Sequence, residues 1–105
     1  MFSLSRRKRH HRSRIEIVAD ILDIAKTGAG RTRIMYLGNL SFELLHKYLD
    51  MLSACGLLQQ RNDPDRTYLL TEKGQHFLEE YYELEKNFEV VVSKRRLLER
   101  TLTGP

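Results

Sequence analysis

The chain has 105 residues, 41% hydrophobic and 30% charged, with a formal net charge of +4. That length holds one compact domain and one extended element, and excludes separate catalytic and substrate domains. No apolar run approaches the roughly 20 residues that span a bilayer, no signal-peptide core is present in residues 1–14, and the single cysteine, Cys55, excludes an internal disulfide and a Cys-paired zinc site.

The positive charge is concentrated at one end. Residues 1–14 carry Arg6, Arg7, Lys8, Arg9, Arg12 and Arg14 without an acid, whereas the other 91 residues hold twelve Lys or Arg against fourteen Asp or Glu. Such a run repels itself and buries no apolar surface, so residues 1–12 read as a basic, disordered tail. A polyphosphate is its natural counterpart, because each neutralised phosphate releases condensed counterions. A purely solubilising tail is the plainer alternative.

Over residues 14–26, Ile15, Ile17, Val18, Ile21, Leu22, Ile24 and Ala25 recur at helical spacing, with Glu16, Asp20 and Asp23 on the other side. Ser13 is placed to cap this helix and Gly28 to stop it. Gly28, Ala29 and Gly30 break the chain before a short helical segment, residues 32–37. Gly38, Asn39 and Leu40 make a tight connection, and Ser41 caps a third helix that runs to about Ala54 and stops at Gly56. Its predicted buried stripe is Leu44, Leu45, Tyr48, Leu49 and Leu52; Phe42, Glu43, His46, Lys47 and Asp50 occupy the opposite face. Two helices joined by a short glycine-containing turn form a helix-turn-helix. Next, Asn62, Asp63, Pro64 and Asp65 separate two short apolar segments, which predicts a β-hairpin with Arg61 and Arg66 at its tip. Residues 13–71 are therefore expected to be a winged helix-turn-helix domain, mainly α with a small β-hairpin wing.

Thr71 caps a final helix predicted over residues 72–102, leaving 103–105 as a tail. Its 31 residues span roughly 46 Å, more than a small domain covers. Phe77, Tyr81, Leu84, Phe88, Val91, Arg95, Leu98 and Leu102 follow alternating steps of four and three, a heptad seam that predicts a two-stranded coiled coil and a homodimer. Between Glu72 and Glu89 there are six acids against Lys73 and Lys86, while residues 90–105 carry Lys94, Arg95, Arg96 and Arg100 against Glu99. An antiparallel pair sets acidic halves against basic halves, so antiparallel is the expected orientation.

Five stretches together resemble an archaeal family of small winged-helix proteins, some of them chromatin-type proteins that dimerise through a long C-terminal helix. They are residues 31–36 (RTRIMY), 39–42 (NLSF), 47–49 (KYL), 56–57 (GL) and 68–74 (YLLTEKG), and the similarity spans about residues 13–86. The resemblance implies a dimeric double-stranded-DNA binder, with the helix after Asn39 presented to the major groove and the hairpin acting as a wing.

The candidate base-reading positions are Ser41, Phe42, Glu43, His46 and Lys47, at the start of the recognition helix where side chains reach base edges. Lys47 suits guanine and Glu43 suits the cytosine amino group. Arg31 and Arg33 suit phosphate, Arg61 and Arg66 the backbone or minor groove, and the tail residues Arg6, Arg7, Lys8, Arg9 and Arg12 a neighbouring minor groove. Such a protein would be cytoplasmic and associated with the nucleoid. Glu43 and Asp50 offset Lys47, which favours an alternative, a winged helix that binds another protein; RNA binding through the arginine-rich tail is a further one.

Catalysis has little support. Gly28 and Gly30 lack the third glycine and preceding strand of a dinucleotide loop, and His10, His11, His46 and His76 lack metal-site spacing. Cys55, with apolar neighbours and no evident base, is expected to be a buried, inert thiol. No cofactor, metal, membrane partner or small-molecule substrate is expected.

Overall fold

The computed structural model describes residues 11–103. Arg6, Arg7, Lys8 and Arg9 lie outside the described residues. Helix α1 spans Arg14–Ile24 and continues into a 3-10 turn, Ala25–Thr27; α2 is Arg31–Leu37 and α3 is Phe42–Ala54. Strands β1 (Leu58–Gln60) and β2 (Tyr68–Leu70) pair antiparallel with Leu58 opposite Leu70 and Gln60 opposite Tyr68. Helix α4 covers Glu72–Thr103. This is a winged helix-turn-helix head from which one long helix projects.

Local chemistry sets the element boundaries. Ser13 and Glu16 form a reciprocal capping box at the start of α1, each side chain bonding the other's backbone N–H at 3.1 and 2.7 Å. Gly28 turns the chain out of the helical region at φ +92°. Ala29 then exchanges both backbone hydrogen bonds with Tyr68, at 3.0 and 2.7 Å, which adds a one-residue third strand to the wing. The wing turn is held by Asp63, whose carboxylate accepts from the N–H and hydroxyl of Thr67 at 3.3 and 3.2 Å.

The core is one cluster drawn from every element, centred on Ile21, Leu22, Ile34, Leu45, Leu49, Leu52 and Leu78. Three expectations about burial are corrected. Asp20 is not on a solvated face: it is 1% exposed and pairs with Arg12 at 2.7 Å. Because α1 packs against both α2 and α4, its supposedly polar side is covered too. Leu44 lies off the core face of α3 and is exposed, leaving Leu45, Tyr48, Leu49 and Leu52 as the buried stripe. Cys55 is exposed, because α3 ends at the surface, where the Lys73 ammonium donates to the Cys55 carbonyl at 2.8 Å.

Helix α4 divides into two parts. Its first turns belong to the head: Thr71 Oγ accepts from the Gly74 N–H at 3.0 Å, and Gly74, Leu78, Tyr81 and Glu85 are buried. Gly74 is required by close approach, since a Cβ there would run into the Leu57 carbonyl oxygen and the Leu70 side chain. A second attachment joins α4 to α1: the Tyr82 hydroxyl donates to Asp23 at 2.7 Å, and Lys26 bonds Asp23 and Tyr82 at 3.0 and 3.2 Å. From Lys86 to Thr103 every side chain is exposed except Val92, which is half-buried. At 1.5 Å per residue the 32-residue helix is about 48 Å long, so its distal half stands clear of the head.

Candidate nucleic-acid interface

The turn between α2 and α3 presents the start of α3. Asn39 adopts φ +53°, a left-handed conformation that asparagine tolerates, and buried Leu40 anchors the turn in the core. Ser41 accepts from the Leu44 N–H at 3.2 Å, so its hydroxyl serves as the N-cap of α3. Beyond it Phe42, Glu43 and Lys47 are exposed and His46 is half-buried.

Three of the sequence-derived candidates come together. Arg31 Nη1 lies 2.7 Å from His46 Nδ1, and the Phe42 and His46 rings meet T-shaped with centroids 4.2 Å apart at 72°. The Arg31 guanidinium also sits 5.8 Å from the ring centre of Tyr68 on β2, within cation–π range. The wing thus helps to seat the arginine that touches α3. Arg33 is exposed in the first turn of α2. Arg61 and Arg66 line one shallow hollow of about 250 Å³ at the wing tip, with Gln60 and Asn62.

Arg12, expected in a disordered tail and a neighbouring minor groove, is instead half-buried against the head. Its guanidinium bonds Asp20 at 2.7 Å and the Asn39 carbonyl at 3.0 Å, within the head. Tyr36, 83% exposed on α2, belongs to the RTRIMY stretch but not to the candidate contact residues. The signal was there: Ile34, Met35 and Tyr36 are consecutive, and a helix cannot turn three successive side chains into one core. At the wing, desolvation pushes the Asp63 carboxyl up, but hydrogen bonds from Thr67 and from the Arg66 N–H together outweigh it and hold the group below its ordinary value. Asp63 is therefore a negatively charged brace of the turn.

Of the seam residues, Tyr81 is buried and Phe77 half-buried against the head's own core. Leu84, Phe88, Val91, Leu98 and Leu102 are all more than half exposed, and Arg95 is exposed. Ile15, Tyr81, Leu84 and Phe88 line an apolar groove of about 390 Å³ between α1 and α4. Among the described residues no group of three or more His, Cys, Asp or Glu is arranged to hold a metal ion, and no helix is long and apolar enough to cross a membrane.

A capped second helix with an exposed leading face, a tight preceding turn and a two-stranded wing define a winged helix-turn-helix protein. The winged helix-turn-helix family model matches residues 11–89, and the chain belongs to that family. It is 36% identical over 91 residues to Uncharacterized protein MJ0287 of the archaeon Methanocaldococcus jannaschii, an overlap that covers 86% of this chain and 88% of that one. Among solved structures it is similar to Sso10a-2, a DNA-binding protein from Sulfolobus solfataricus, with TM-score 0.76 and 32% identity, covering 87% of this chain and 97% of that one. It shares its fold with the multiple antibiotic-resistance repressor MarR of Listeria monocytogenes, with TM-score 0.55 and 18% identity, over 83% of this chain and 71% of that one.

Proposed function

We propose that this protein is a dimeric double-stranded-DNA-binding protein, a transcriptional regulator or an architectural protein of the chromosome. In this reading the start of α3 enters the major groove, and the wing arginines follow the backbone or minor groove. One observation carries it: the exposed leading face of α3 stands with Arg31, Arg33 and Lys47 in a chain that is 32% identical, over most of its length, to a DNA-binding protein of the same fold. The basic residues Arg6, Arg7, Lys8 and Arg9 would add phosphate contacts.

The distal part of α4 supports the dimer. An antiparallel copy sharing the seam pairs Phe77 with Leu102, Tyr81 with Leu98, Leu84 with Arg95 and Phe88 with Val91, and it sets the acidic half of each helix against the basic half of the other. The groove at Ile15, Tyr81, Leu84 and Phe88 then receives Leu98 of the partner subunit.

Titration with duplex DNA, single-stranded RNA and an acidic polypeptide at two salt concentrations tests the reading, alongside sedimentation equilibrium. Tight, salt-sensitive binding to duplex by a dimer is expected. A single sedimenting copy at micromolar concentration overturns the dimer, and duplex binding no tighter than polypeptide binding overturns the DNA reading. The second reading, a protein-binding winged helix, is favoured by Tyr36 and Phe42, 83% and 66% exposed, near the acids Glu43 and Asp50.

A further inference from the structure

The contact between Arg31 and His46 fixes the chemistry of the His46 ring. A guanidinium carries only donors, so the 2.7 Å approach of Arg31 Nη1 makes His46 Nδ1 the acceptor. With Nδ1 accepting, the N–H donor the ring offers is Nε2–H. Among the described residues that Nε2–H has no acceptor. Phe42, one turn earlier on the same face of α3, sits T-shaped to the ring with centroids 4.2 Å apart and remains 66% exposed. The helix start therefore sets one N–H donor beside one exposed apolar ring.

Resting on the reading of α3 as the helix that enters the major groove, we propose that Phe42 and His46 form a base-reading pair and that Arg31 is the positioning residue that sets its tautomer. The His46 Nε2–H seeks the edge of guanine, whose N7 and O6 are both acceptors, and disfavours cytosine, which offers an amino donor there. Phe42 seeks the methyl group of a neighbouring thymine. Arg31, seated between His46 and the Tyr68 ring, ties this pair to the wing.

The test begins with duplexes selected from a random library by the full chain. In the preferred duplex each thymine is replaced singly by uracil, and each guanine by 7-deazaguanine, which lacks N7, or 2-aminopurine, which lacks O6. One uracil is expected to weaken binding about fourfold, the weight of one methyl group. One adjacent guanine replacement is expected to cost about tenfold. Phe42→Ala should erase the uracil penalty and keep the guanine penalty, and His46→Ala the reverse. Arg31→Ala should shrink the guanine penalty, and Arg31→Gln, whose amide also donates, should restore it. Nitrogen-15 shifts of His46 in the free protein should show the proton on Nε2. A proton on Nδ1, a selection without a shared sequence, or a duplex indifferent to every replacement overturns the pair, even where a variant misfolds. Salt-dependent duplex binding that survives such a result leaves the proposed function standing; absence of duplex binding removes both.

Discussion

Arg12 Nη1 lies 2.7 Å from Asp20 Oδ2 inside the head, and the second terminal nitrogen of Arg12 donates to the Asn39 carbonyl at 3.0 Å. One side chain thereby joins the segment preceding α1 to α1 itself and to the turn that presents α3. Taking the Arg12 guanidinium away from a carboxylate only 1% exposed is costly. Arg12→Ala is expected to lower stability by about 3 kcal/mol. Replacing both partners, Arg12→Met with Asp20→Leu, is expected to recover most of that loss. Urea unfolding midpoints of the three proteins measure it; equal losses in the single and double variants would show that the pair contributes nothing as a pair.

Gly74→Ala sets two effects against each other. Alanine favours a helix interior by about 1 kcal/mol over glycine. Here the added methyl collides with the Leu57 backbone and Leu70, where β1 begins and β2 ends. Overpacking of about 2 kcal/mol or more should win, giving a net loss of stability in thermal unfolding.

The exposed seam predicts a specific failure. Leu98 is 66% exposed in the single chain, so Leu98→Glu spares the head's core. A dimer contains this position twice, and losing roughly 1.5 kcal/mol or more at each weakens association at least about 100-fold in sedimentation equilibrium. Orientation is read by disulfide formation in a Cys55→Ser background. Leu84→Cys and Arg95→Cys chains, mixed, should crosslink to each other, whereas either alone should not; self-crosslinking of both would indicate parallel rods.

The clasp of Asp23, Lys26 and Tyr82 predicts weakening at alkaline pH. Hydrogen bonds with Tyr82 and Asp23 raise the Lys26 pKa, and desolvation followed by the Asp23 hydrogen bond raises that of Tyr82. Both groups hold their protons longer when folded, so their stabilisation is complete below the ordinary tyrosine and lysine values and is lost as pH rises past them through the raised ones. Tyr82→Phe should cost about 1 kcal/mol at neutral pH. It should also flatten the alkaline arm of stability against pH, measured by unfolding at several pH values.

Removing residues 1–10 takes away Arg6, Arg7, Lys8 and Arg9 while sparing the Arg12 anchor. The slope of log affinity against log salt on duplex DNA should fall by about 3 to 4, near 0.9 for each lost phosphate contact. An unchanged slope would assign those cations no role in binding.

What the sequence revealed was local. The capping box at Ser13 and Glu16, the Ser41 and Thr71 caps and the helical periodicities lie within a few residues of one another, so α1, α3 and α4 were legible from spacing alone. Asp63 likewise announced the wing turn. The rest depends on residues far apart in the chain. A helical wheel placed Asp20 in solvent because it contains no Arg12 to neutralise the acid and no α4 to cover it. The glycine-flanked break hid the pairing of Ala29 with Tyr68, which is 39 positions away. Arg31 and His46 looked like independent contacts to phosphate and base, yet a turn brings them within hydrogen-bonding distance. The heptad seam was visible as one stripe, but the head claims Tyr81 and part of Phe77 for itself.

Only Thr71 separates β2 from α4, and its hydroxyl is held on both sides, donating to the Gly56 carbonyl at 2.6 Å and accepting from Gly74. So short a joint leaves no slack between lever and blade. A rotation of the first turn of α4 would reach the hairpin with no loop between them to absorb it.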